Sequence, residues 1–174
     1  MGELEWLDEE AGKFVFACWQ NVAIVGWAST PEVDVVHRLA DFERQHESKF
    51  PAGWSTVHLV APHSQLPSAE TREAFVANGR NGARQPAVLA VRLAGDGFRV
   101  SAMRSVATSI LMLVGAKFKI KFFAELEPLV RWLVPLHQEA TGMWLDPTEL
   151  VAVLDEVMEQ VERHAQPMSK AASG

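Results

Sequence analysis

The sequence predicts an α/β domain with a mixed, mostly parallel sheet of about five strands, followed by an added C-terminal amphipathic helix. Two β-rich segments lie close together near the start, and strand-like and helical segments then alternate along the chain. Such alternation implies right-handed crossovers and largely parallel pairing. We place the α/β domain at residues 1–141, the added helix at 142–166 and a flexible tail at 167–174.

The domain is predicted to open with a β-hairpin and a helix. Residues 14–19 and 22–27 are rich in β-branched and aromatic side chains, and the two residues between them can form a turn. Thr30 and Pro31 are typical of a helix start, since threonine caps helices and proline fits the first helical position. That helix should end before Pro51.

The middle of the chain continues the alternation. Residues 54–61 predict a strand that Pro62 stops, and Ser68 is the expected cap of the helix that follows. Residues 86–93 are almost continuously apolar, which is typical of a central parallel strand.

Three further elements complete the predicted domain. Apolar residues recur every three or four positions over 98–114, which indicates a helix. Residues 117–122 alternate strictly between lysine and apolar side chains, and three lysines on one face suit an edge strand. Residues 125–141 predict a helix that Pro135 should shorten or kink.

The added helix begins at a strong start signal, Asp146-Pro147, and carries an apolar stripe opposite an acidic face. The stripe could pack on the chain's own domain, which we favour, or pair with a second copy or a partner protein. In the second case the candidate partner-binding residues are Leu150, Leu154, Val157, Met158 and Val161.

Composition indicates a cytoplasmic protein that binds neither membranes nor nucleic acids. The single cysteine, Cys18, cannot form an internal disulfide, and the acidic N-terminal segment lacks the features of a signal peptide. The formal net charge of −6 argues against general nucleic-acid binding. Charge is uneven, because Arg72 to Arg131 contains ten basic and four acidic residues. Either an anionic partner or simple neutralisation by the acidic ends could explain this asymmetry.

The segment Lys121-Phe122-Phe123-Ala124-Glu125-Leu126-Glu127, followed by Arg131-Trp132-Leu133, resembles the closing strand and helix of the SpoIIAA-like, or STAS-like, family found in many bacterial genomes. The resemblance extends over roughly Lys13 to Leu136. It implies a STAS-like fold and a regulatory domain that acts by binding proteins. The family's phosphorylated serine starts the helix after a central strand, which makes Ser68 the candidate phosphorylation site, although no Asp precedes it and no Gly follows it.

No pattern in the sequence predicts catalysis, a metal or a cofactor. His58 and His63 are two histidines where a metal site needs three or four ligands. The loop 79–84 is basic and contains glycine, so Arg80 and Arg84 are candidate anion-binding residues, although neither nucleotide-binding glycine pattern is present.

These observations favour a non-enzymatic regulatory or scaffolding domain that acts by protein–protein interaction, including self-association. The alternative is a small anionic ligand-binding protein, or an enzyme, that uses the loops 62–68 and 79–84.

Overall fold

A computed structural model describes residues 2–81, 84–95 and 97–165. It contains one six-stranded sheet whose strands lie side by side in chain order. The first three strands pair antiparallel, and the third to the sixth pair parallel. The strands are β1 (Leu4–Glu10), β2 (Phe14–Trp19), β3 (Val22–Trp27), β4 (Ser55–Val60), β5 (Val88–Leu93) and β6 (Lys119–Phe123).

Five helices cover the two faces of this sheet: α1 (Val33–Lys49), α2 (Ala69–Asn81), α3 (Gly97–Val114), α4 (Leu126–Thr141) and α5 (Pro147–Ala165). Parallel strands in chain order, joined by crossovers of one hand, carry all their connecting helices on the same side. Residues of α1, α2 and α3 accordingly share one apolar cluster, and residues of α4 and α5 share the other. We call the two sides the α1–α3 face and the α4–α5 face.

Strand side chains alternate between these faces, as the pleat requires. In β2, Phe14 and Phe16 belong to the cluster on the α1–α3 face, whereas Val15 and Ala17 belong to the cluster on the α4–α5 face. Every residue of β2 and β3 is buried, so these strands form the centre of the core.

The predicted mixed α/β architecture is confirmed, with six strands where the sequence predicted about five. The additional strand is β1, which runs along one edge of the sheet and is largely exposed. Its carboxylates pair with bases on α1: Arg38 contacts Asp8 at 2.5 Å and Glu10 at 2.6 Å. The lysine-bearing strand β6 lies at the other edge, where its alternation placed it.

Helix α5 packs on the chain's own sheet, the first of the two alternatives for the added helix. The five stripe residues are at most 5% exposed and belong to the core cluster on the α4–α5 face. Gly26 of β3 permits this close approach, because a Cβ atom there would lie 2.3 Å from a methyl carbon of Val161. Helix α4 continues through Pro135 to Thr141, so the proline does not shorten it.

Candidate functional site

Helices α2 and α3 are the least buried of the crossover helices, with one buried residue each, and α3 exposes the larger apolar side chains. Of its 18 residues only Val100 is buried, and Phe98 and Met112 are 89% and 77% exposed. The helix has no acidic residue in its first turn and a mean hydropathy of 1.2, so it meets the length and composition of a membrane span. It nevertheless connects two adjacent parallel strands, β5 and β6. An exposed apolar helix in this position indicates a binding surface.

A cavity of about 190 Å³ lies between α3 and the strands beneath it. We call it the α3–sheet crevice. Its walls are almost entirely apolar and come from both layers. They include Val60, Leu89, Val91, Ile120 and Phe122 from the strands, and Met103, Ala107, Ile110 and Leu111 from α3.

Several residues with polar groups line this crevice, among them Trp27, His58 and Ser64. Trp27 Nε1 donates a hydrogen bond to His58 Nδ1 at 3.2 Å, and burial lowers the pKa of His58 to about 4. The ring is therefore neutral at pH 7, and its proton lies on Nε2. The hydroxyl of Ser64 is buried and has no hydrogen-bond partner among the described residues. Arg99 Nη1 donates to the Ser64 carbonyl at 2.8 Å and so fastens the start of α3.

A second cavity, of about 130 Å³, adjoins the first and shares His58, Phe75, Leu89, Ile110 and Leu111 with it. We call it the polar cavity. Asn78 Nδ2 donates to Glu43 Oε2 at 3.2 Å, and burial raises the pKa of Glu43 to about 7. The indole nitrogen of Trp54 and the amide oxygen of Asn78 are buried without a partner among the described residues.

A third feature, the α2–α3 groove, lies on the outer surface between these helices. Val76 of α2 and Ile110 and Leu113 of α3 give it apolar walls. Arg72 and Arg80 of α2 also line it.

The serines of α3 that line this groove are satisfied by their own helix. Ser109 Oγ donates to the Ser105 carbonyl at 2.9 Å, and Ser105 Oγ donates to the Ser101 carbonyl at 3.0 Å. Such bonds inside the helix reduce the polarity that the groove presents to a partner.

Ser68 caps α2, as its position predicted. Its hydroxyl accepts a hydrogen bond from the Thr71 amide at 3.1 Å, and its side chain is exposed. The phosphorylation of Ser68 stays a prediction. Its neighbours Ala69 and Arg72 line the end of the α2–α3 groove.

The two candidate anion-binding arginines contact groups of their own chain. Arg80 Nε donates to the Leu113 carbonyl at 3.0 Å, and Arg84 Nη2 donates to the Pro51 carbonyl at 2.8 Å. Gly82 and Ala83 of the same loop lie outside the described residues. The predicted loop 79–84 is helical as far as Asn81, the last residue of α2, so Arg80 lies on a helix. The loop 62–68 follows the carboxyl end of β4, whereas residues 79–84 precede the amino end of β5. Because these strands are parallel, the two segments lie at opposite ends of the sheet and do not form one site.

The candidate partner-binding residues of α5 are occupied by the chain's own core. A partner could reach Leu154 or Val157 only if α5 left the sheet, so the stripe is not a contact surface in this structure. Sequence reasoning missed α3 in this role, because its repeat of three and four positions matches an ordinary core helix. The signal available was its apolar character on the side away from that stripe, at Phe98, Met112 and Leu113.

Comparison with known proteins does not assign the chain to a family. No protein-family model matches the chain, and no curated protein matches it. Within the described residues, no group of three or more histidine, cysteine or acidic side chains is arranged to hold a metal ion.

Proposed function

We propose that this chain is a non-enzymatic, STAS-like regulatory domain that binds a partner protein through the α2–α3 groove. The observation that carries the proposal is the apolar wall of this groove, where Leu113 is 57% exposed beside Val76 and Ile110. Two further side chains of α3, Phe98 and Met112, are 89% and 77% exposed outside the groove. Exposed apolar surface beside polar residues is typical of a protein contact site.

The order of elements supports the STAS-like part of the proposal. From β2 to α4 the chain runs β-β-α-β-α-β-α-β-α, and its strands lie in chain order. The stretch that resembles the family, Lys13 to Leu136, spans these elements. Its closing motif forms the end of β6 and the start of α4.

Charge and shape indicate the kind of partner. Arg72 and Arg80 line the groove against one carboxylate there, Glu73. A partner helix with an apolar stripe and flanking acidic residues would match both the walls and the charge, in the helix-in-groove mode of recognition. The rim charges would chiefly speed association and set orientation.

Ser68 would supply regulation. A phosphate on this exposed serine would add negative charge at the end of the groove, next to Arg72. It would compete with an acidic partner for that arginine. We therefore propose that phosphorylation of Ser68 weakens partner binding.

Affinity capture of the full chain from its native cells tests the proposal. We expect a stoichiometric partner that is lost with Leu113→Asp and retained with Ala152→Asp, which adds the same charge at an exposed position of α5. Phosphate on Ser68 should be depleted in the captured complex. A partner that binds both variants equally, or a turnover that depends on a described side chain, would contradict the proposal.

A further inference from the structure

We infer that the α3–sheet crevice and the polar cavity together bind one small amphiphilic molecule, with its aliphatic or aromatic group in the crevice and a neutral hydroxyl or amide head in the polar cavity. This inference goes beyond the proposed function, because it concerns the space under α3 and not the groove on its outer surface. The two cavities adjoin at His58, Phe75 and Leu89.

The size of the crevice sets the apolar group. Protein interiors are close-packed, and an apolar cavity of about 150 Å³ is large enough to hold benzene. At about 190 Å³ the α3–sheet crevice exceeds this volume. Because benzene has six carbon atoms, a cavity somewhat larger than the one that holds it fits a group of about six to eight carbon atoms.

Hydrogen bonds attach α3 to its neighbours near both ends. Arg99 fastens the first turn to the Ser64 carbonyl, and Arg80 of α2 fastens the last turn through the Leu113 carbonyl. Gly79 lets Val114 approach α2 closely, since a Cβ atom there would lie 2.6 Å from a valine methyl carbon. The middle of the helix spans the cavity between these attachments. An apolar ligand would restore the contacts that the walls lack.

The polar cavity presents unpaired groups of both kinds to a head group. Trp54 is 2% exposed, and its indole nitrogen is a donor without a partner among the described residues. The amide oxygen of Asn78 is a buried acceptor that also has no partner among the described residues. Leaving a buried polar group unpaired costs about 1–3 kcal/mol. A hydroxyl or a primary amide both accepts and donates, so it could satisfy the two groups together.

Charges of both signs line the polar cavity, so their effects on a charged head partly cancel and the cost of burying that charge favours a neutral head. Glu43 lines the polar cavity and would oppose a carboxylate once it is ionised. Arg84 also lines it, with its guanidinium carbon 5.5 Å from the centre of the Trp54 ring, and would oppose an ammonium group. His58 is neutral and lies where the two cavities meet. Its Nε2 proton provides a further donor for a ligand oxygen.

Titration with 1-octanol, followed by the indole N–H signals in a ¹H–¹⁵N NMR spectrum, tests the inference. We expect a saturable shift of the Trp54 signal while the signals of the exposed Trp6 and Trp144 stay in place. Nonanoate, with the same eight-carbon alkyl chain and an anionic head, should bind about tenfold more weakly above pH 8, a difference of about 1.4 kcal/mol.

Two neighbouring substitutions on α3 form the matched pair. Ala107→Trp fills the crevice and should weaken 1-octanol binding at least tenfold, whereas Thr108→Trp places the same ring at an exposed position and should leave it unchanged. If Ala107→Trp does not fold, Ala107→Leu fills part of the space and should weaken binding severalfold. A Trp54 signal that does not move up to the solubility limit of 1-octanol, or binding that Ala107 variants leave intact, would overturn the inference. Leu113→Asp serves as a further control, because Leu113 lines the groove and not the crevice, so the inference and the proposed function can fail separately.

Discussion

The helices on one face of the sheet pack more tightly than those on the other. On the α4–α5 face, Leu129 and Leu133 of α4 and Leu150 and Leu154 of α5 are fully buried against the strands. On the α1–α3 face, α1 packs well, but α3 spans a cavity and exposes several of its largest side chains. One face therefore stabilises the fold, while the other leaves apolar surface available for binding.

The difference follows from the sequences of the helices. Helix α5 has one narrow apolar stripe with acidic residues opposite, so a single orientation buries the whole stripe. Helix α3 is apolar around most of its circumference, so no orientation on a single sheet can bury it completely. A helix of this composition needs a second apolar neighbour, which is the physical basis of the proposed partner contact.

Buried polar groups without a partner among the described residues occur on both faces. On the α4–α5 face, His137 Nδ1 lies 2.8 Å from the Ser55 hydroxyl, but His137 Nε2 and Arg92 Nε have no partner. On the α1–α3 face, Trp54 Nε1 and Asn78 Oδ1 have none, and both residues line the polar cavity. Because this second pair lies beside open space, a ligand there could satisfy it.

The largest expected effect comes from the same leucine truncation on each face. Leu154→Ala removes a fully buried side chain and should lower the free energy of unfolding by about 2–5 kcal/mol. Leu113→Ala trims a side chain that is 57% exposed and should change it by less than about 0.5 kcal/mol. Urea denaturation measures both. Equal losses would show that the two leucines are equally well packed, which would contradict the difference between the two faces.

Acid should destabilise the protein through buried histidines on both faces. Burial lowers the pKa of His46, His58 and His137 to about 4 each. Between about pH 6.5 and pH 4 the unfolded chain takes up protons that the folded chain does not, so stability falls as the pH falls through this window. Glu43 opposes this, because its raised pKa lets the folded chain take up a proton first, between about pH 7 and pH 4.5. With three groups against one, we expect a net loss on the order of 3 kcal/mol between pH 7 and pH 5.

Single histidine replacements locate this pH dependence. His137→Gln should flatten the profile of unfolding free energy against pH, and His37→Gln, at an exposed position of α1, should leave its slope unchanged. A profile that His137→Gln does not flatten would mean that water reaches this site on the α4–α5 face.

The sequence predicted the parts of the fold that local pattern determines. The hairpin of β2 and β3, the capped start of α2 and the lysine-bearing edge strand β6 all follow from propensity, capping and alternation. Strand β1 was missed because it is an exposed edge strand with four acidic residues, and its pairing with β2 and its salt bridges to α1 are contacts across the chain.

The candidate binding features were less predictable for a related reason. Trp54 and Asn78 are separated by 24 positions and meet only because α2 crosses over the sheet. The periodicity of α3 correctly identified its inward side chains, such as Met103 and Leu111, but periodicity does not indicate whether a helix packs tightly or leaves a cavity. The alternative function would have used residues 62–68 and 79–84 together, but the parallel strands β4 and β5 place these two segments at opposite ends of the sheet.

The smallest expected effect compares two glycines, each at a close contact with a valine. Gly26→Ala would place a Cβ atom 2.3 Å from Val161 on the α4–α5 face, and Gly79→Ala would place one 2.6 Å from Val114 between α2 and α3. On the tightly packed face the strain should cost about 1–3 kcal/mol, because α5 is held along its whole length. At Gly79 a similar clash is offset in part, because alanine favours a helix by about 1 kcal/mol over glycine, so the net loss should be smaller than at Gly26. Thermal unfolding of each variant measures the difference, and combining Gly26→Ala with Val161→Ala should recover part of the loss if the clash is its cause. A loss at Gly79 as large as at Gly26 would mean that the last turn of α3 is held against α2 as rigidly as α5 is held on the sheet.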